Sequence, residues 1–245
     1  MKRIEILGVD GMPEVSPGDD LGELISSRAR LEPGDVVVVA QKVVSKSEGR
    51  FRDLTTVIPS DEAVSLASHL IATPDPRIVQ VILDESVRVV RTERVLITET
   101  RHGYVCANGG VDHSNIPGSD VVTLLPEDPD ASANHVRARI RDLSGVEVGV
   151  IVSDTFGRPW RMGIVNVALG VAGLPALVDL RGHMDDAGKE LRATVLAIAD
   201  DLASAAGLIM GKAERTPVVI VRGFELHGDG RGRDLIRPAA EDLFR

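Results

Sequence analysis

The stretch Val146-Glu-Val-Gly-Val-Ile-Val-Ser-Asp-Thr155 contains the most strand-like run in the second half of the chain. Its β-branched apolar core predicts a buried strand. Asp154 and Thr155 follow this core directly, and we expect the strand to end there and to hold both side chains firmly. A second β-branched run, Val36–Ala40, follows the turn signal Pro33-Gly34-Asp35 and is short enough to predict another buried strand rather than a helix.

Helical patterns separate the predicted strands. Ser60 is a suitable N-cap for a helix over residues 61–71, and Gly207 is a stop signal for a long helix over residues 187–206. Further helices are predicted over residues 76–83 and 131–143, and further strands over residues 87–90, 95–98 and 217–222. This alternation predicts a compact mixed α/β (α+β) fold. Residues 1–245 are predicted to form one domain, with two closely packed subdomains divided near Pro126 as the alternative.

The composition limits the class of protein. A formal net charge of −9 and an aromatic content of 2% disfavour nucleic-acid binding, which needs clustered cations and stacking surfaces. No apolar run approaches the ~18 residues of a membrane span, and the N-terminus lacks the apolar segment of a signal peptide. We therefore expect a soluble, cytoplasmic protein without nucleic-acid or membrane partners. The single cysteine, Cys106, has no obvious base partner and is expected to be structural.

A basic segment, Gln41-Lys-Val-Val-Ser-Lys-Ser-Glu-Gly-Arg50, follows the first buried strand. Lysines such as Lys42 and Lys46, together with serine hydroxyls, suit the binding of a triphosphate at the exit of a strand. The pattern is not the glycine-rich P-loop, however, and a solvated basic turn is an equally good interpretation.

Two acidic segments are candidate sites for a hard metal ion. Asp112 follows the glycine pair of Ala107-Asn-Gly-Gly-Val-Asp112, and Mg²⁺ typically takes one or two protein carboxylates. Asp154 and Thr155 offer two more oxygen ligands, while Arg158 and Arg161 could clamp an anionic group. Asn115 could hydrogen-bond a nucleotide. An aspartate-rich turn is the alternative for the first segment, and Trp160 could serve only to cap the core.

Two further segments are weaker candidates for nucleotide contacts. In Gly11-Met-Pro-Glu14 the glycine permits close backbone approach and the glutamate offers an acceptor, but an ordinary turn explains the same residues. Lys212 in Gly211-Lys-Ala-Glu214 could contact phosphate. Asp200 and Asp201 lie before this segment, on the helix predicted over residues 187–206. They are expected to form a solvated face because adjacent residues do not point the same way.

Five segments in combination carry a family resemblance: Gly11-Met-Pro-Glu14, Val43-Val-Ser-Lys-Ser-Glu-Gly49, Gly109-Gly-Val-Asp-His-Ser-Asn115, Ser153-Asp-Thr-Phe-Gly-Arg-Pro-Trp-Arg161, and Gly211-Lys-Ala-Glu214 followed by Pro217-Val-Val-Ile-Val-Arg-Gly223. Along essentially its whole length the chain resembles the coenzyme F420-0:L-glutamate ligase family, also called F420:gamma-glutamyl ligase.

The resemblance implies an enzyme that uses GTP to join L-glutamate through an amide bond to F420-0 or F420-n. It implies that two Mg²⁺ or Mn²⁺ ions are held by Asp112, Asp154 and Thr155. It further implies a homodimer, and potassium is a candidate for an accessory ion. The nucleotide would contact Gly11, Met12, Pro13, Glu14, Gln41, Lys46, Asn115, Gly211, Lys212 and Glu214.

Amide formation requires an activated carboxylate, so the expected mechanism proceeds through an acyl phosphate. Lys46 and Arg158, with Asp154, are the predicted catalytic residues, since phosphoryl transfer depends chiefly on positioning and electrostatics. One alternative keeps the nucleotide and metal but uses another carboxylate acceptor. A second alternative is a non-catalytic module that binds a nucleotide or F420. A flavin oxidoreductase is poorly supported, because no Gly-x-Gly-x-x-Gly fingerprint follows a strand.

Overall fold

The computed structural model describes residues 3–71, 74–113, 120–211, 215–224 and 228–242. Its strands are β1 (Glu5–Gly8), β2 (Val36–Ala40), β3 (Phe51–Asp53), β4 (Ser86–Arg91), β5 (Ile97–Thr100), β6 (Val105–Ala107), β7 (Val121–Thr123), β8 (Gly149–Arg158), β9 (Arg161–Ala172), β10 (Val178–Asp179), β11 (Val195–Leu196) and β12 (Val218–Arg222). Its α-helices are α1 (Leu21–Ser26), α2 (Gln41–Ser47), α3 (Asp61–Ala67), α4 (Pro76–Asp84), α5 (Pro129–Ser144) and α6 (Ile198–Met210). The predicted mixed α/β class is confirmed.

A five-stranded sheet in the order β1-β12-β2-β8-β9 organises the main core. β2 and β8 run parallel, and the other three pairs are antiparallel. Side chains alternate between the faces of a strand, so Val37 and Val39 pack with residues of α1 and α5, whereas Val36 and Val38 pack with residues of α6. Helices therefore cover both faces, which explains the continuous apolar runs of the central strands.

Helix α5 shows how local sequence positions an element on this sheet. The Asp128 side chain caps the helix by accepting hydrogen bonds from two backbone N–H groups of the first turn, and Pro129 occupies that turn. The helix ends at Gly145, whose φ of 71° lies in the left-handed region that favours glycine. Its buried face, which includes Val136 and Ile140, joins the core on one side of the sheet.

Besides the two-stranded β10-β11 sheet, two smaller sheets and two helices pack outside the main sheet. The sheet β4-β5-β6 and the pair β3-β7 lie outside the main sheet. Helices α3 and α4 bury Ala63, Val79 and Ile82 in a second hydrophobic cluster. The strands predicted over residues 87–90 and 95–98 correspond to β4 and β5, which pair antiparallel, and the helix predicted over residues 61–71 is shorter, since α3 ends at Ala67.

Several predictions about secondary structure are wrong. Residues 41–47 form helix α2 rather than a basic turn, because no breaker precedes Gly49. Helix α6 begins at Ile198 rather than at residue 187. The residues before it include β11, which pairs with β10 in a separate two-stranded sheet. Gly207 lies inside α6, and Gly211, with a φ of 53°, follows its last residue.

Strand β8 continues past Asp154, contrary to prediction. Its register with β9 shifts at Ser153, and the two strands then run on as a hairpin whose turn contains Trp160. The Trp160 side chain is 72% exposed, so it does not cap the core. Asp154 therefore lies within an extended ribbon rather than at the end of a strand. Among the described residues, no helix is long and apolar enough to cross a membrane.

Candidate active site

A cavity of about 960 Å³ lies beside the carboxyl end of β2. Ala40, the last residue of β2, pairs in parallel with Ser153 of β8. Because the carboxyl ends of parallel strands meet at one edge of a sheet, the residues that follow, Gln41 and Asp154, reach the same cavity. The sequence-predicted residues that line it are Met12, Pro13, Glu14, Gln41, Lys46, Asp112, Asp154, Thr155 and Gly211.

One wall of the cavity is cationic. Lys42 and Lys46 are four residues apart on α2, which places them on the same side of the helix. The Lys46 side chain is only 8% exposed and forms an ion pair with Glu14, whose side chain is 76% exposed. The Lys42 ammonium lies 2.8 Å from the Asp112 carboxylate. The helix thus directs two lysines into the cavity while Val44 packs in the core.

The cavity lining also carries oxygen ligands. Asp112 is held by paired backbone hydrogen bonds with Thr123, at 3.0 Å and 2.8 Å. The backbone N–H of Thr155 donates to the Asp154 carboxylate at 2.7 Å. The side chain of Asn166, from β9, also lies here, and its carboxamide oxygen accepts from the Thr155 hydroxyl at 3.5 Å.

This donor set fits a magnesium or manganese ion. It combines two carboxylates, Asp112 and Asp154, with the Thr155 hydroxyl, whereas no group of three or more His, Cys, Asp or Glu side chains suited to a metal occurs in the described part of the chain. Mg²⁺ typically takes one or two carboxylates and keeps its other positions for water and phosphate oxygens. The lysines that line the same cavity suit the phosphate groups.

Similarity to known proteins decides the family. A family model described as F420-0:Gamma-glutamyl ligase matches residues 11–223. The chain belongs to this family. It is 50% identical over 255 residues to a coenzyme F420:L-glutamate ligase of Methanopyrus kandleri, covering 100% of both chains. It is also 47% identical over 249 residues to the Methanocaldococcus jannaschii protein of the same name, covering 100% of this chain and 98% of the relative.

Membership of the F420-0:gamma-glutamyl ligase family makes the chain an enzyme of the ligase class. Some of the site residues predicted from the sequence do not line the cavity. Gly11 is not among the residues that line the cavity, and its carbonyl oxygen accepts from Arg28 at 2.9 Å. Arg158 lies near the hairpin turn, where its guanidinium donates to the carbonyl oxygen of Met162. Asn115, Lys212 and Glu214 lie outside the described residues.

Asn166 lines the cavity but was not predicted from the sequence. The residue is a single carboxamide between Val165 and Val167 in β9, and asparagine is depleted in strands. An amide inside an otherwise apolar strand is a signal that could have identified it. Lys42 was considered for phosphate but not for its contact with Asp112, because that contact joins segments distant in sequence.

Two residues near the site have structural roles. Burial raises the pKa of the Cys106 thiol to about 12, and the negative charge of Asp154 adds to this effect. The thiol therefore stays protonated at neutral pH, as the structural interpretation requires. Asp200 does not belong to a solvated face, since its carboxylate accepts from the backbone N–H of Ala168 at 2.8 Å and burial raises its pKa. Asp201 is exposed as predicted.

Proposed function

We propose that this ligase joins L-glutamate through an amide bond to a carboxylate of coenzyme F420-0 or F420-n, with GTP as the energy source. The family and its named relatives support the two substrates. One observation carries the GTP- and metal-dependent part of the proposal: two carboxylates from distant segments, Asp112 and Asp154, line the same cavity as Lys42 and Lys46. That combination suits a metal-bound triphosphate.

The chain's own residues supply binding and orientation. Lys46 is held in place within the cavity wall, so it is preorganised to contact phosphate oxygens in exchange for Glu14. Gln41, Met12 and Pro13 line the same side and complete the proposed nucleotide contacts. Arg158 is not part of this proposal, because its side chain is turned towards the hairpin backbone.

Asp112, Asp154 and Thr155 would hold the divalent ions, with Mg²⁺ or Mn²⁺ as the candidates. When bound, such ions supply neutralisation of the phosphate charge. Lys42, whose ammonium lies 2.8 Å from Asp112, is placed to stabilise the phosphate oxygens as well. Potassium as an accessory ion stays a prediction.

The proposed reaction has two steps. The γ-phosphoryl group of GTP passes to the acceptor carboxylate, which gives GDP and an acyl phosphate. The glutamate amine then attacks the acyl carbon, the bond from that carbon to the phosphate oxygen breaks, and the nitrogen loses a proton. Phosphoryl transfer depends mainly on position and charge, so the lysine wall and the ordered carboxylates are the main contribution of the chain. A homodimer is part of the same proposal, and sedimentation measurements would test it.

The decisive experiment incubates the purified protein with F420-0, L-glutamate, GTP and Mn²⁺. Mass spectrometry is expected to detect addition of glutamyl residues, with one GDP released for each amide formed. Parallel reactions with ATP test the nucleotide, and Asp154→Asn is expected to abolish turnover. Asp186→Asn, at an exposed position outside the cavity, is the matched control and should retain activity. An unchanged F420-0 mass without GDP release would reject the proposal.

A further inference from the structure

Asn166 is enclosed by residues of β8 and α6 that line the cavity. Its side-chain N–H group donates to the Ser153 hydroxyl at 3.3 Å and to the Met210 sulfur at 3.5 Å. Its carboxamide oxygen faces the Thr155 hydroxyl at 3.5 Å. The amide donors and the acceptor are thus assigned to different neighbours, which fixes the orientation of the carboxamide.

Helix α6 is shaped around this side chain. The Ser204 hydroxyl donates to the backbone oxygen of Asn166 at 2.8 Å. One turn later, Gly207 lies so close that a Cβ atom there would be 3.0 Å from both Cγ and Oδ1 of Asn166. A glycine inside a helix costs about 1 kcal/mol relative to alanine. The close approach explains why this position of the helix lacks a side chain.

The contact with Thr155 has a chemical consequence. A hydroxyl group that binds a cation uses an oxygen lone pair and must direct its proton elsewhere. Asn166 Oδ1 is an acceptor in that direction. A residue that accepts a hydrogen bond from a metal ligand orients the ligand and strengthens it. Asn166 accepts a hydrogen bond from Thr155, which is one of the proposed metal ligands.

We propose that Asn166 is a positioning residue of the ligase. It orients the Thr155 hydroxyl for a bound divalent ion and joins this ligand to the end of α6, where Met210 and Gly211 line the cavity. The inference rests on the proposed function, since it assigns a supporting residue to the same metal site.

The test compares Asn166→Ala with Asn134→Ala. Asn134 is the matched control, because its side chain lies on the exposed side of α5 and donates to the backbone oxygen of Asp130. Electron paramagnetic resonance measures Mn²⁺ binding in the presence of GDP, without turnover. Asn166→Ala is expected to weaken Mn²⁺ binding roughly tenfold or more. It should also lower kcat/KM for GTP while leaving KM for F420-0 unchanged, and the control should match the wild type.

Gly207→Ala provides a second variant that keeps the amide but displaces it. Thermal unfolding should show that this variant remains folded, since alanine favours the helix, and its Mn²⁺ affinity should fall in the same direction as that of Asn166→Ala. If both variants bind Mn²⁺ like the wild type, or lose stability while the folded fraction binds normally, the positioning role is rejected and the proposed function stands. If the wild-type protein itself does not bind Mn²⁺ with GDP, both proposals fail.

Discussion

Replacing Lys46 by methionine should separate nucleotide binding from folding. Methionine keeps the length of the side chain but removes an ammonium group that is 8% exposed. A hydrogen bond to a charged group contributes about 1.5–3 kcal/mol. Losing one such contact to phosphate therefore weakens nucleotide binding roughly 10- to 150-fold. Calorimetric titration with GDP and Mn²⁺ measures this change directly.

Stability should move in a different direction from affinity. Lys46 is buried, so its removal relieves a desolvation cost, whereas its partner Glu14 is 76% exposed and is readily hydrated once unpaired. The melting temperature of Lys46→Met should therefore equal or exceed that of the wild type. Lys189→Met, at an exposed position outside the cavity, is the control for removal of a lysine charge. Unchanged GDP affinity in Lys46→Met would refute the reasoning.

Three further predictions concern the fold around the site. Arg222→Met leaves the carboxylate of Asp35, which is 1% exposed, without its two guanidinium contacts at 2.8 Å, and urea unfolding should detect a loss of roughly 3 kcal/mol. Gly170→Ala places a Cβ atom 1.9 Å from a backbone oxygen of α5 and should lower the free energy of unfolding by about 1–3 kcal/mol, as measured with urea. Gly157→Ala is the control, because a Cβ atom there meets nothing within 4 Å and should change this free energy little. Folding raises the pKa of Cys106 from 9.0 to about 12, so the stabilising contribution of the thiol is complete below pH 9 and is lost as the pH rises towards 12. Over this range the unfolding free energy of the wild type should fall more steeply than that of Cys106→Ala, by about 1.4 kcal/mol for each pH unit. Equal slopes would contradict the burial of a neutral thiol.

The sequence predicted elements whose stability is local. Val36–Ala40 contains four consecutive β-branched valines, and Ser60 marks a helix start through its side-chain cap. The sequence did not predict helix α2, because its lysines and serines lack the apolar periodicity of a core helix. Tertiary packing of Val44 makes this segment a helix and gives its lysines a common direction.

The site was predictable as a set of residues but not as an arrangement. Asp112 and Asp154 carry recognisable metal chemistry in their own segments. Asp154 reaches the cavity through the parallel pairing of Ala40 with Ser153, and Asp112 is held there by its bridge to Thr123. The register of such non-local pairs leaves no signature in either segment. The role of Asn166 was hidden for the same reason, since β9 reaches the cavity only because β8 continues past Asp154 as a hairpin.

Asp112 and Asp154 are proposed to hold divalent ions in one nucleotide site. Crystals grown with GDP and Mn²⁺ test this role through anomalous scattering at the manganese edge. Manganese peaks are expected within coordination distance of both carboxylates and of the nucleotide phosphates. Manganese bound elsewhere, with neither aspartate among its ligands, would contradict it.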